Sequence, residues 1–276
     1  MSKTAKFPAY EILAKVRQVK PVVHHLTNWV TIYDCANIVK VLGASPVMAH
    51  APEEVAEMTL ISGALVLNIG TLTTSMIEAM KISARTANEK GTPVVLDACG
   101  AGATQFRDRK CFELLQGAHI DILKGNASEI ARLCGEAVRT KGVDSTKVAK
   151  NMAELAGQFA RRYKCVVVVT GPEDIVTEGT GAYLVKNGHP MMGNIVGTGC
   201  MAASVIGTFA AVEQDLALAA AAGLSCFGIA AQQAAKTAKG PGGFKEKLFD
   251  CVYNLDKKTV TRLQKVGALK FKKGAR

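Results

Sequence analysis

The chain has 276 residues, of which 49% are hydrophobic, so it can bury a substantial core, and general disorder is excluded. The formal net charge is +11, but residues 257–276 hold eight basic residues and no acid, against 26 basic and 23 acidic residues elsewhere. The basicity therefore belongs mainly to the C-terminal tail, and we expect no nucleic-acid surface. A solvated end is the favoured interpretation of that tail, with a weak patch for an acidic partner as the alternative.

The cysteine pattern and the apolar segments bear on the compartment. Eight cysteines lie at positions 35, 99, 111, 134, 165, 200, 226 and 251, and no two form a Cys-x-x-Cys pair. Such dispersed thiols argue against a zinc site and a disulfide scaffold, and they favour a reduced, cytoplasmic protein. The start turns charged too early for a signal peptide, and the apolar segment 216–231 falls short of the ~20 residues of a membrane span.

Short apolar runs alternate with helical patterns through the first 170 residues. The runs are "VVHHL", "ALVLNIG", "PVVLDA", "IDILKG" and "CVVVVTG". Continuous apolar strands are typical of a parallel sheet that is covered on both faces. Residues 74–91 and 144–164 have the spacing of amphipathic helices, and Gly91 is expected to end the first. The pattern predicts a three-layer α/β fold with a mostly parallel central sheet flanked by helices.

The pattern changes after Thr170. The stretches "DIVTEG" and "AYLVKNG" alternate in polarity and predict an antiparallel hairpin at one edge of the sheet. Three helices are expected to close the chain, and the apolar spacing in 257–276 predicts that a surface helix continues into the basic tail. No long linker or repeat divides the chain, so we expect one domain over 1–276, with its most flexible excursion at 135–146.

Three predicted strands end in polar or glycine-rich sequence. Asp97 ends one strand and opens "ACGAGAT", Lys124 ends the next and opens "GNASE", and Thr170 ends the third. Ligands of open parallel sheets bind beyond the carboxyl ends of the strands. These three side chains are therefore expected to face one site, although Asp is also common in structural turns.

The segment "GNASEI" has two interpretations. Asn126 followed three residues later by Glu129 is a capping box, which opens many ordinary helices. Alternatively, Glu129 faces a Mg²⁺ ion directly or through water, because Mg²⁺ prefers oxygen ligands and keeps several waters.

The segment "NIVGTGC" precedes an uncharged, alanine-rich helical run. Gly197 and Gly199 would let successive N–H groups converge on a phosphate at the positive end of that helix, although tight turns need glycine as well. Cys200 is then a nucleophile, a weak base or a small core residue. Walker, α/β-hydrolase and dinucleotide-binding motifs are missing from the sequence.

The segment "HHLTNWV" places His24 and His25 before Asn28. Without an evident third ligand, the histidine pair is more typical of hydrogen-bonded packing than of a metal site. Asn28 is a candidate contact for a small ligand.

Taken together, "HLTN", "GASPVM", "LNIGTL", "DACGAGAT", "GNASEI", "VVTG" and "GTGC" resemble the hydroxyethylthiazole kinases, which are ribokinase-like enzymes. The resemblance covers roughly residues 10 to 240. It implies ATP-dependent phosphorylation of the hydroxyl of 4-methyl-5-(2-hydroxyethyl)thiazole in thiamine biosynthesis or salvage. It also implies a homotrimer whose active sites lie between subunits.

The resemblance also implies roles for single residues. Asn28, Met48 and Gly197 would contact the thiazole, while Lys124 and Thr170 would contact ATP. The acidic positions associated with Mg²⁺ and the phosphates correspond to Asp97 and Glu129, and Cys200 matches a cysteine beside the substrate hydroxyl.

Two positions depart from the family pattern. Where the family has Asp-Pro-Val-Gly, this chain has "DACG", so Ala98 lacks proline's fixed φ and a looser turn is expected at Asp97. Lys124 stands in place of a common arginine, which keeps the charge and loses the planar fork.

Two other functions stay open from the residues. In a cysteine-nucleophile hydrolase or transferase, Cys200 would react with His24 or His25 as its base. In a non-catalytic protein, the same fold would only bind thiazole or nucleotide.

Overall fold

The computed structural model describes residues 7–135 and 145–271. Its helices are α1 Ala9–Val19, α2 Ile32–Leu42, α3 Val55–Leu60, α4 Thr74–Lys90, α5 Gln105–Gly117, α6 Ala127–Leu133, α7 Ser145–Tyr163, α8 Thr198–Ala210, α9 Leu216–Ala235, α10 Pro241–Tyr253 and α11 Lys257–Leu263. Its strands are β1 Val22–Leu26, β2 Ser45–Val47, β3 Ala64–Asn68, β4 Val94–Asp97, β5 Ile122–Asn126, β6 Val166–Thr170, β7 Asp174–Thr177, β8 Gly181–Val185 and β9 Val266–Lys270. A 3-10 helix covers Pro190–Asn194.

The nine strands form one sheet in the order β2-β1-β3-β4-β5-β6-β7-β8-β9. Strands β1 to β6 pair in parallel, and β7, β8 and β9 continue the sheet in antiparallel pairing. The five predicted parallel strands and the predicted hairpin are therefore confirmed. The short strand β2 was not predicted, and its Pro46 is compatible with its place at the edge of the sheet.

Alternate residues of each strand enter two separate cores. Val66 and Val95 pack with α1, α2, α8, α9 and α10 on one face of the sheet. Their neighbours Leu65 and Leu96 pack with α4, α5, α6 and α7 on the other face. Because successive side chains of a strand point to opposite faces, apolar residues at every position bury the sheet on both sides. The predicted three-layer α/β arrangement is confirmed.

Helix α9 is longer than the sequence predicted. It extends through Ala235, so it reaches 20 residues, and the expectation that this segment is too short for a membrane span was wrong. Within the described residues it is the one helix long and apolar enough to cross a membrane, but most of it is buried inside the protein. Its alanines pack against α8 and α10, as in the core helix of a globular fold.

The C-terminal segment is the clearest correction. The continuous tail helix predicted for 257–276 was wrong, since α11 ends at Leu263 and Gln264 is extended, with φ −61° and ψ 134°. Strand β9 then pairs antiparallel with β8, Val266 opposite Val185. The described region after the hairpin thus has four α-helices instead of the three predicted. Strand β9, and not the hairpin, forms this edge of the sheet. Of the predicted excursion at 135–146, residues 136–144 lie outside the described residues.

Candidate active site

The carboxyl ends of neighbouring parallel strands carry a row of polar side chains. Asn68 of β3 lies opposite Asp97 of β4, and Asp97 lies opposite Lys124 of β5. On the next pair, Asn126 of β5 lies opposite Thr170 of β6. The parallel register therefore brings the predicted strand-end residues to one edge of the sheet.

Asp97 and Lys124 form a buried ion pair. Lys124 Nζ donates to Asp97 Oδ1 at 3.0 Å, and Asp97 Oδ2 accepts a second bond from Asn68 Nδ2 at 2.7 Å. Burial raises the pKa of Asp97, and the positive charge of Lys124 limits that rise. Burial opposes the charge of Lys124 as well, but the adjacent Asp97 holds the pKa of the lysine above its ordinary value. Each charge thus lowers the cost of burying the other.

Cys200 Sγ lies beside this ion pair and receives two amide donors. Asn28 Nδ2 approaches the sulfur at 3.2 Å and Asn68 Nδ2 at 3.3 Å. Asn28 also donates to Asn68 Oδ1 at 3.0 Å, so both amides are held in position. The hydrogen bond from Cys99 is the largest influence on Cys200, and with further hydrogen bonds and the Lys124 charge it lowers the pKa of Cys200 to about 5 against the effect of burial. The site therefore favours the thiolate.

The turn before α8 requires its first glycine. Gly197 is the N-cap with φ 95°, and a Cβ at this position would lie 2.5 Å from Thr31 Cγ2. At Gly199 a Cβ would lie 3.3 Å from Lys124 Nζ, so the lysine ammonium lies close to the backbone of the first helical turn. The positive end of the α8 dipole and the Lys124 charge are therefore adjacent, as in sites that bind anions.

Glu129 has the predicted capping role and a second one. Asn126 Oδ1 accepts from Glu129 N at 3.0 Å, and Glu129 Oε2 accepts from Asn126 N at 2.7 Å, which completes the capping box. Its other oxygen, Oε1, accepts from Gly100 N at 2.8 Å. The carboxylate thus connects the start of α6 with the loop that follows Asp97.

That loop is anchored despite the missing proline. Ala98 N donates to Lys124 O at 2.8 Å, a bond that proline, which has no N–H, could not make. Arg107, which the sequence reasoning missed, donates to Cys99 O at 3.2 Å and to Ile69 O at 2.7 Å. Its guanidinium thereby connects the loops after β3 and β4.

Asn68 and Cys99 were also missed as candidates. Asn68 contacts both Asp97 and Cys200, so it is central to the cluster. Its position as the polar last residue of an apolar strand is the same signal that identified Asp97. Cys99 offers no comparable signal, because only the folding of α8 against the β4 loop brings it to Cys200.

Thr170 lines a cavity of about 460 Å³ beside this cluster. The cavity also borders Thr198 and Gly199 at the start of α8, and its lining includes Leu224 and Phe227 of α9. Thr170 Oγ1 donates to Gly125 O at 3.3 Å. Thr170 is therefore separated from Asp97 by β5 but shares the cavity with the amino end of α8.

Met48 and the two histidines have no described hydrogen bond to the side chains of the cluster. Met48 follows the edge strand β2, is partly buried, and accepts a 3.3 Å bond at its carbonyl oxygen from the ring of His50. His24 contacts Thr59 Oγ1 at 2.9 Å and Ala49 O at 2.8 Å, and burial lowers the pKa of His25 to about 4. Neither histidine has a described bond to Cys200, so the hydrolase hypothesis lacks the base that it requires.

Comparisons with known proteins identify the family of the chain. The sequence model of the hydroxyethylthiazole kinase family matches residues 13–258. A hydroxyethylthiazole kinase of Methanosarcina mazei is 55% identical over 93% of this chain and 98% of its own. The corresponding protein of Desulforudis audaxviator is 46% identical over 94% of each chain.

Solved structures give the same result for the fold. The structure of a hydroxyethylthiazole kinase protein from Pyrococcus horikoshii OT3 has a TM-score of 0.88 and 40% identity, covering 95% of this chain and 99% of that one. A ribokinase-like superfamily protein from Enterococcus faecalis, 12% identical with a TM-score of 0.59 over 91% of this chain and 90% of that one, shares the fold alone. The predicted ribokinase-like fold is confirmed, and the chain belongs to the hydroxyethylthiazole kinase family.

Proposed function

We propose that this protein transfers a phosphoryl group from ATP to the hydroxyl of 4-methyl-5-(2-hydroxyethyl)thiazole. The observation that carries the proposal is the placement of Lys124 Nζ against Gly199, with Cys200 as the next residue. A cation and a helix N-terminus thus adjoin the group best suited to accept a proton from an alcohol. Family membership supports the choice of substrate.

ATP binds in the cavity beside Thr170. Its volume of about 460 Å³ suits a nucleotide-sized ligand, and Leu224 and Phe227 offer an apolar wall. Thr170 and the start of α8 line the same cavity, and Lys124 Nζ lies against Gly199 at that start. The phosphates therefore point toward Lys124.

Charge neutralisation supplies most of the catalysis. Phosphoryl transfer depends on positioning and on stabilising charge that spreads over the transferring group. The N–H groups that follow Gly197 and Gly199, at the positive end of α8, bind that group while Lys124 contributes a full positive charge. Asp97 and Asn68 keep the lysine in place, so these donors are fixed before the substrate arrives.

The carboxylates fit a Mg²⁺ ion that is bound mostly by phosphate and water. Each oxygen of Asp97 and Glu129 already accepts one hydrogen bond, and the described residues contain no cluster of three or more ligating side chains. Mg²⁺ retains several waters and is commonly held by one or two carboxylates plus phosphates. Glu129 and Asp97 would hold it through water, and it would neutralise phosphate charge.

The thiazole alcohol is placed beside Cys200. Asn28 and Gly197 form this side of the site and Met48 lies at the neighbouring strand end. Asn28 and Asn68 stabilise the Cys200 thiolate before the reaction. The thiolate then accepts the hydroxyl proton as the alcohol oxygen attacks phosphorus. In a loose transition state the alcohol needs little activation, so Cys200 assists the reaction and is not indispensable.

The protein assembles as a homotrimer with its active sites between subunits. Trp29, Val30, Tyr33 and Val196 are exposed by 47, 68, 76 and 72%. Val196 precedes Gly197, and the other three flank Thr31 in the sequence. Because Gly197 packs against Thr31, all four adjoin the site. Exposed apolar side chains grouped at one location favour burial by another subunit, and a second copy covering them would close the thiazole pocket.

The enzyme acts in the cytoplasm. In the described part of the chain, the cysteines at 35, 99, 111, 165, 200, 226 and 251 are free thiols. A reactive thiol at Cys200 is retained most readily in a reducing compartment.

The test is a purified-protein assay with Mg²⁺, ATP and a panel of small alcohols that includes hydroxyethylthiazole and hydroxymethylpyrimidine. Product mass should show a phosphate ester of the thiazole, with one ADP formed for each product. Lys124→Met should lose activity, whereas Lys81→Met, which removes a surface lysine paired with Glu78, should retain it. Absence of any phosphate ester, or equal activity of the two variants, would overturn the proposal.

A further inference from the structure

A single asparagine joins the lining of the cavity beside Thr170 to the C-terminal part of the chain. Asn187 follows β8, is 5% exposed and lines the cavity together with Gly188. Lys265 precedes β9 and is 78 positions away in the sequence, and its N–H donates to Asn187 Oδ1 at 2.8 Å. Asn187 Nδ2 donates to Leu263 O, at the end of α11, at 2.9 Å. The cavity lining is therefore tethered to the connection between α11 and β9.

The same side chain is bound to α9. Ser225 Oγ donates to Asn187 Oδ1 at 3.0 Å, and Asn187 Nδ2 donates to Gln232 Oε1 at 3.1 Å. A Cβ at Gly228 would lie 2.5 Å from the carbonyl carbon of Asn187, so the helix packs directly against this backbone. Asn187 thus connects the segment after β8, helix α9 and the C-terminal segment at one point.

These bonds use the whole hydrogen-bonding capacity of Asn187. A primary amide offers two N–H donors and two acceptor positions on its oxygen. The N–H groups are used by Gln232 and Leu263, and the acceptor positions by Ser225 and Lys265. The side chain could bind a nucleotide only by giving up one of these bonds. Its contribution is therefore to fix where the cavity lining lies.

We propose that Asn187 is a positioning residue for nucleotide binding, through which residues 263–265 keep the cavity in its binding conformation. The inference rests on the proposed function, which places ATP in this cavity. Four hydrogen bonds restrict the amide, and the backbone that follows it, residues 188–189, forms part of the lining. When a binding conformation is only partly populated, the apparent affinity falls in proportion. Loosening this junction should therefore weaken nucleotide binding.

The junction differs in its contacts from the thiazole side of the site. Within the described residues, no hydrogen bond connects Asn187 to Cys200 or to its donors Asn28 and Asn68. Loosening the junction should therefore raise KM for ATP while KM for the thiazole and kcat change little. A role in folding alone would lower stability and leave both KM values unchanged in the folded protein.

Lys265→Pro tests the connection at an exposed position outside the cavity lining that the described residues form. Proline removes the N–H that donates to Asn187 Oδ1. Gln264, with φ −61° and ψ 134°, already has the conformation that a residue before proline favours. Lys265→Ala is the matched control, because it changes the same side chain and keeps the N–H. Ser225→Ala, which removes the other donor to Oδ1, takes the place of Lys265→Pro if that variant does not fold.

The measurement is the Kd of AMP-PNP, a non-hydrolysable ATP analogue, with Mg²⁺ by isothermal titration calorimetry on the full-length protein. Circular dichroism sets a temperature at which every variant is folded. A binding conformation that is populated to about 10% raises Kd about tenfold, which we expect for Lys265→Pro, with at least the same rise for Asn187→Ala. Lys265→Ala should stay within about twofold of the wild type, because its junction is intact.

A second control removes a comparable bridge elsewhere. Asn88 Nδ2 donates to His119 O at 2.9 Å, and Asn88 Oδ1 accepts from His119 N at 2.7 Å. Asn88→Ala should therefore lose stability and keep the wild-type Kd and KM values. Steady-state kinetics of all variants should show the rise in KM for ATP alone.

The outcomes separate this inference from the proposed function. An unchanged Kd in Lys265→Pro and Asn187→Ala would overturn the inference and leave the kinase proposal intact. A rise in Kd of the same size in Asn88→Ala, or an equal rise of both KM values in Asn187→Ala, would also overturn it. A wild-type protein that binds no AMP-PNP would overturn the proposed function, and the inference with it.

Discussion

Lys124 Nζ lies 3.0 Å from Asp97 Oδ1, with side chains that are 5% and 0% exposed, so the two charges exist in the protein only as a pair. Removing one partner leaves the other buried without compensation. A variant that removes both charges can therefore regain stability without regaining activity, which distinguishes the effect of the pair on folding from its effect on catalysis.

We expect Asp97→Asn to lower the free energy of unfolding by about 3–5 kcal/mol, since this is the usual cost of an orphaned buried charge. The double variant Asp97→Asn/Lys124→Met should regain part of that loss and stay inactive. Urea unfolding measures the stability. Glu78→Gln, which breaks an exposed pair with Lys81, should change stability by no more than about 1 kcal/mol. An Asp97→Asn protein as stable as the wild type would contradict the pairing.

Glu129→Gln should reduce turnover by more than its effect on the cap explains. Glutamine has one carbonyl oxygen, so it cannot accept from both Gly100 N and Asn126 N, and the lost bond should cost about 1–3 kcal/mol. Removal of the negative charge should lower kcat further. Asp256→Ala serves as the control, because it removes the cap of α11, where Asp256 Oδ1 accepts from Thr259 N. The control should be destabilised but fully active, and a fully active Glu129→Gln protein would reduce Glu129 to a structural cap.

Cys200→Ala should weaken turnover without abolishing it, and Cys200→Asp should retain more activity than Ala. A carboxylate can accept the alcohol proton and the donors from Asn28 and Asn68. A general base typically contributes about 10²–10⁴-fold to the rate. A loss of turnover smaller than about 10²-fold in the Ala variant would therefore show that Cys200 assists the reaction without being essential. Steady-state kcat and kcat/KM, with circular dichroism to confirm folding, measure the effect. A folded but completely inactive Ala variant would mean that the thiol is obligatory.

The acid limb of the pH profile follows from the same residue. The hydrogen bond from Cys99 and the neighbouring donors lower the pKa of Cys200 to about 5, so the thiolate is present above that pH and is lost as the pH falls through it. We expect kcat/KM of the wild type to fall below about pH 5, and the part of this fall that belongs to Cys200 to be missing from Cys200→Ala. That variant keeps the fall due to protonation of Asp97, whose pKa is raised by burial.

Assembly and activity should be lost together when a charged residue is introduced among the exposed side chains of Trp29, Val30, Tyr33 and Val196. Tyr33→Glu places a carboxylate at a side chain that is 76% exposed beside the site, where a second subunit would bury it. Light scattering should show a trimer for the wild type and smaller species for this variant, with less activity. Tyr253→Glu, at an exposed aromatic of α10, should remain trimeric and active. A wild-type protein that is monomeric and active at all concentrations would exclude the trimer.

Local sequence accounts for most of the fold because the sheet is covered on both faces. The strands that contain Asp97, Lys124 and Thr170 are recognisable as continuous apolar runs with polar residues toward their ends. The expectation that Lys124 ends its strand was wrong, because β5 continues to Asn126. Gly91 ends α4 at φ 74°, as its position before Pro93 indicated. These features depend on short-range chemistry that the sequence displays directly.

Features that depend on distant partners were not predictable in this way. Strand β9 exists because the edge of β8 pairs with it, whereas its apolar spacing alone fits a helix. The contact of Cys99 with Cys200 requires α8 to pack against the β4 loop, and no local pattern encodes that distance. Arg107 likewise has an ordinary helical position whose carbonyl partners come from two other loops. Tertiary packing determines all three.

Strand β9 also affects how the molecule can be made. It follows every other strand in the chain, so the ribosome delivers it after β8 has already been synthesised. Until it arrives, β8 has a row of unpaired N–H and C=O groups, which is a template for aggregation between nascent chains. Lys186 N donating to Lys265 O at 2.9 Å begins the pairing that covers this edge. Truncation before Val266 would therefore reduce the yield of soluble protein while leaving every proposed catalytic side chain in the sequence.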